Sequence, residues 1–200
     1  MKTKDFLKKH DACKVGAKWA LSISDNMADV WEAMVAQGKR DWLMWTAVQP
    51  GVFSASDLRK LSCRLVRETP SHYGSKVWDL LTDERSRRVV EVSEAYADGK
   101  ATSEEMMAAR DDAYIAYDEA HAASVAHDTG YVYRVAASVA HDTGYVCRAV
   151  AHAAAFAASV ADAAHASRAT AYAAAYTESV AKLAQVKVIA ELGNPFVKEK

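Results

Sequence analysis

DERSRRVVEVSEAYADGKATSEEMMAARDDA, residues 83–113, reads as a helix, a stop and a second helix. Thr82 or Asp83 can cap the first helix, because a short polar side chain accepts from the orphan N–H groups of the opening turn. Val89, Val90, Val92 and Tyr96 are its larger apolar residues. Gly99 can then adopt the left-handed conformation that ends a helix. Thr102-Ser103-Glu104-Glu105 is a capping box, with Glu105 three residues after the cap. Two strong helix signals follow each other with no period-two alternation between them, and this sets the class.

The same signals recur upstream. Residues 5–21 read as one helix or two short ones, with Phe6, Leu7, Val15, Trp19 and Leu21 as apolar positions. Ser24 or Asp25 is placed to cap a helix carrying Met27, Val30, Trp31 and Met34, which follow i, i+3, i+4, i+7 spacing. Gly38 ends it. Residues 40–49, RDWLMWTAVQ, form a short apolar helix that Pro50-Gly51 stops. Ser56 or Asp57 opens a helix to about Glu68, Pro70 closes it, and residues 69–77 are a polar loop around Tyr73-Gly74. Downstream of the capping box the chain reads as helical to about Leu192, where Gly193-Asn194-Pro195 is a stop. No strand pattern of useful length is present, so the expected fold is all-α.

The downstream half has a different texture. AASVAHDTGYVYRV (122–135) is followed at once by AASVAHDTGYVCRA (136–149), and 12 of the 14 positions are identical. At about 100° per residue, such a block turns within roughly 40° of four full turns, so its duplication keeps later side chains on nearly the same helix face. Of residues 101–180, 28 are Ala. Ala buries little area, so these helices gain from packing only by close approach. The five tryptophans, Trp19, Trp31, Trp42, Trp45 and Trp78, all lie upstream. The expected organisation is therefore a Trp-containing head over 1–100, an Ala-rich helical arm over 101–193 and a tail over 194–200. Asp-Thr-Gly is poor in a helix interior, and a break or kink is expected at one or both HDTG sites.

Charge gives little direction. The net charge is −1, which leaves no electrostatic footprint for nucleic acid, and direct nucleic-acid binding is not expected. Cys13, Cys63 and Cys147 form no CxxC and no even framework, which fits a reducing, cytoplasmic setting. The Ala tract from 149 to 176 carries His152, Asp162, His165 and Arg168 and is not a membrane span.

No nucleophile elbow, phosphate loop or metal-ligand spacing appears, so an enzyme, a metal and a cofactor are not expected. His127-Asp128 and His141-Asp142 resemble acid–base pairs, but on one helix the histidines would lie about 21 Å apart, and duplication of a surface residue explains them. Tyr114 and Tyr117, at i, i+3, and the repeated Tyr131 and Tyr145 punctuate the Ala background; Tyr offers a large contact area at low entropy cost, so they are candidates for a binding face. Arg64, Arg67 and Arg88, with Tyr73 and Trp78 nearby in sequence, are candidates for a phosphate-bearing or acidic ligand. Arginines in such a setting more often pair with neighbouring acids, here Glu68, Asp83, Glu84 and Glu91.

The segments ACKVGAKWA (12–20), MADVWEAM (27–34), RDWLMWTAVQPGV (40–52) and RLVRETP (64–70), with VWDLLTDERSRRVVEVSEAYADGKATSEEMMAARDDA (77–113), resemble a family of small phage and bacterial proteins labelled immunity proteins. The resemblance covers roughly residues 1–120, and the tail matches in composition only. The family pairs a Trp-rich helical head with a long Ala-rich helical tail, and it supplies no catalytic residues. The resemblance implies binding: stoichiometric inhibition of a toxin or of a host antiviral effector such as a nuclease complex. Two further readings stand beside it, a sponge for a nucleotide-derived signal and a self-assembling helical protein. Close approach of Ala-rich helices favours a homo-oligomer in each.

Overall fold

Side-chain caps mark the start of several of the helices. The computed structural model describes residues 1–70, 76–123 and 170–197. These form α1 (Thr3–Lys9), α2 (Lys14–Ile23), α3 (Met27–Ala36), α4 (Arg40–Ala47), α5 (Ala55–Glu68), a 3-10 turn (Val77–Leu80), α6 (Glu84–Ala97), α7 (Ser103–Ala123) and α8 (Thr170–Ala190). The fold is all-α, and no strand occurs among the described residues. The two HDTG blocks, with the break expected there, lie outside the described residues.

The expected caps hold at Asp83, whose carboxylate accepts from Arg85 N, and at Thr102, whose Oγ1 accepts from Glu105 N at 3.2 Å while the Glu105 carboxylate accepts from Thr102 N at 2.7 Å. Two caps fall elsewhere. The α3 cap is Asn26 rather than Ser24 or Asp25, and Ser24 instead binds Asp29 at 2.7 Å. The α5 cap is Ser54 rather than Ser56 or Asp57, because Ser54 places Asp57 at the position that returns the bond. Residues 5–21 form parts of two helices, separated by Asp11 in a left-handed conformation. Phe6 and Leu7 are buried as expected, but Val15 and Leu21 are exposed, so α2 turns them to its outer side.

One core collects these helices. Trp31, Phe6, Met27, Leu43, Met44, Leu61, Leu65 and Leu81 are its largest fully buried side chains. The same core takes Met106, Ala109 and Ala113 from α7 and Val186, Val188 and Ile189 from α8. Residues on both sides of position 100 therefore share it. The last two turns of α8 lie against α3, α4 and α5, and α7 lies along α6. Gly38, at φ 63°, turns the chain between α3 and α4 where a Cβ would come within 3.2 Å of Leu183 on α8. Beyond α8, Asn194 donates to the Ala28 carbonyl at 2.9 Å and to Glu32 at 2.8 Å, and Phe196 packs edge-on to Phe6.

Candidate functional site

The arginines on α5 and α6 come together through the helical period. Arg64 and Arg67 are three residues apart and share one edge of α5. Arg67 meets α6, where its Nε and Nη2 donate to the two oxygens of Glu94 at 2.6 and 2.8 Å. Its guanidinium lies over the Trp78 ring, 4.0 Å from the centroid. Arg87 approaches the same ring at 5.5 Å and donates to the Leu81 carbonyl at 2.6 Å. Trp78 is thus flanked by two cations, each oriented by another group.

Arg64 faces α8. It donates to both oxygens of Glu68, at 2.6 and 3.0 Å, and its Nη2 also pairs with Glu191. Hydrogen bonding to Glu68 holds the guanidinium proton tightly, and the Arg64 bond in turn holds the Glu191 carboxyl below its usual range. Arg85 joins α6 to α7 in the same manner, pairing with Asp83 at 2.8 Å and with Glu119. The carboxyls of Asp83 and Glu119 are both lowered, chiefly by their hydrogen bonds to Arg85.

This arrangement is a set of interhelical latches: α5 to α6, α5 to the end of α8, and α6 to α7. A bidentate guanidinium–carboxylate pair is geometrically saturated on that edge. A phosphate arriving at Arg64 or Arg67 would have to displace Glu68, Glu94 or Glu191. Arg88 lies apart from these latches and is exposed on α6. Tyr73, Tyr131 and Tyr145 lie outside the described residues. Tyr114 is partly buried and packs against the core, and Tyr117 belongs to α7. The structure therefore brings Arg64, Arg67 and Trp78 together and turns Tyr114 toward the head.

A surface that the sequence did not single out lies on α7. Met106, Ala109, Ala113 and Ala116 are buried, whereas Met107 and Ile115 are 42% and 51% exposed. Met107, Asp111 and Ile115 follow i, i+4, i+8 and form one outward stripe. The available signal was Met107 and Ile115 themselves, the large aliphatic residues set among alanines and charges. Among the described residues, no group of three or more His, Cys, Asp or Glu side chains is gathered so as to hold a metal ion, and no helix is long and apolar enough to cross a membrane. No protein-family model, curated protein or solved structure matches the chain.

Proposed function

We propose that the protein is a non-enzymatic binding protein of the cytoplasm that inhibits a toxin or antiviral effector by stoichiometric contact. The observation that carries this reading is the two-sided apolar character of α7. One side of that helix is consumed by the head, and the other presents Met107 and Ile115 to solvent. Large aliphatic side chains on a helix already packed elsewhere add nothing to the chain's own core, and such side chains serve as anchors for a groove on a partner. The likeness of residues 1–120 to immunity proteins supports the same reading. The latching of Arg64 and Arg67 by acids weighs against the nucleotide sponge at that place, because the cations a phosphate would need are engaged.

The test is affinity capture of tagged protein from lysate of a bacterium carrying defence systems, followed by native mass spectrometry. The expected result is one dominant co-purifying protein complex, retained by the parent and lost from Met107→Glu/Ile115→Glu, with the helical content of the variant unchanged. Equal capture by that variant would overturn the role of the stripe. A bare homo-oligomer abolished by the same pair of changes would replace inhibition with self-assembly.

A further inference from the structure

A cavity of about 150 Å³ remains inside the head, between α2, α3 and α4, walled chiefly by Trp19, Ala20, Met27, Met34, Trp42 and Trp45. Protein interiors rarely leave voids larger than a water molecule. The cause lies in α2, which is small where it borders the void. Gly16 has no Cβ, and one built there would stand 3.7 Å from the Trp42 ring and 3.3 Å from Cys13 Sγ. Ala20, one turn further on, is the buried residue of α2, and its methyl reaches no further than the wall. The bulk comes from the other side, where Trp42 and Trp45 stand on α4 and Met27 and Met34 on α3.

The chemistry of the wall selects what can enter. No charged side chain lines the cavity. Lys14 and Lys18 fall on the opposite side of α2 by the helical period and line a separate outer groove. Water finds little to hold it. The Thr46 hydroxyl is buried and turned to Met34 Sδ at 4.0 Å, and the Cys13 thiol accepts from Gly16 N at 3.4 Å. A water needs two to four polar partners, whereas an apolar void of about this volume stays dry and takes up a benzene-sized molecule. Trp19 and Trp42 meet at a tilt, with centroids 4.9 Å apart, and offer ring faces and edges to such a guest. Cys13 borders the cavity and is exposed, which marks the side where it approaches the surface.

We propose that the head binds one small, neutral, apolar molecule the size of a single aromatic ring, held between α2 and the indoles of Trp42 and Trp45. Such a guest completes the packing of α2, whose own side chains leave the void.

Benzene is the probe, and phenylacetate is its charged counterpart. Three of the five tryptophans line the cavity, so their emission reads its occupancy. Benzene is expected to change the emission saturably and to raise the melting temperature. At ten times its dissociation constant it should raise the folded-to-unfolded ratio about elevenfold. Phenylacetate is expected to do neither, because its carboxylate would be buried without a cation. Ala20→Leu, which extends a wall residue into the void, is expected to abolish the benzene response. Gly16→Ala adds one methyl beside Trp42 and is expected to weaken benzene by about fivefold. The proposal is overturned if benzene gives no saturable response, if phenylacetate acts as strongly as benzene, or if Ala20→Leu responds like the parent. Should Ala20→Leu fail to fold, undiminished binding by Gly16→Ala overturns it instead. No residue of α7 lines the cavity, so this proposal and the one resting on the α7 stripe fail independently.

Discussion

Replacing Ile189 by Ala tests whether α8 belongs to the head. Ile189 is fully buried and lies in the same core as Trp31 and Phe6, although it follows the last tryptophan by more than a hundred residues. Truncating a buried Ile to Ala costs about 2–5 kcal/mol, from lost transfer energy and the void left behind. With about 3 kcal/mol lost and a urea slope of about 2 kcal/mol/M, the unfolding midpoint falls by roughly 1.5 M. The reporter is unambiguous, because every tryptophan lies between residues 19 and 78 and none lies on α8. If the helices share one core, tryptophan emission and far-ultraviolet ellipticity both shift by that amount and stay superimposed. Leu183→Ala, on the same helix but 62% exposed, should move the midpoint by less than about 0.5 kcal/mol equivalent. A tryptophan midpoint that stays put in Ile189→Ala while the ellipticity shifts would refute the shared core.

Three further outcomes follow from the geometry. Gly38→Ala and Gly99→Ala both force a Cβ into a left-handed backbone, at φ 63° and 71°, for a loss of about 1–2 kcal/mol each; Gly38→Ala should cost more in a chemical melt, because its Cβ also meets Leu183 whereas Gly99 faces open space. Glu191→Gln should destabilise at neutral pH only: Arg64 depresses the folded-state carboxyl, so the contribution is complete above the unfolded value near 4.5 and is lost as pH falls through the folded one. Parent and variant melting temperatures should therefore converge in acid, and a pH-independent gap would disprove the linkage. Arg67→Lys should lose the bidentate bond to Glu94 and the stack on Trp78, costing about 1 kcal/mol in this partly exposed setting and changing the Trp78 emission.

The helix boundaries were largely legible because capping is local chemistry. Asp83, Thr102 with Glu105, Gly38, Gly99 and Gly193 each act through groups a few residues away, and each holds. The caps that moved lie in polar runs where several neighbours were competent. Ser54 prevails at α5 through its reciprocal bond with Asp57, and Asn26 prevails at α3 beside a bridge to Lys2 that local pattern does not encode. Which face a helix buries was less legible: α2 carries Val15 and Leu21 outward because its inner side is taken by Trp19 and Ala20. The basic character around Arg64 and Arg67 was visible, as was the pairing of Arg64 with Glu68, but the second acid on Arg64 is supplied from 127 residues away. The cavity left no trace in composition, since a void is set by how three helices meet rather than by which residues they carry.

Sharing the core between α5 and α8 imposes an order on synthesis. About ninety residues separate the end of α6 from Ile189. At roughly 5–20 residues per second, the ribosome takes about 5–20 s to add them. Throughout that interval the sides of α4 and α5 destined for Val186, Val188 and Ile189 stand uncovered on the nascent chain. The growing polypeptide thus carries an apolar seam that is sealed only when its last helix has been made.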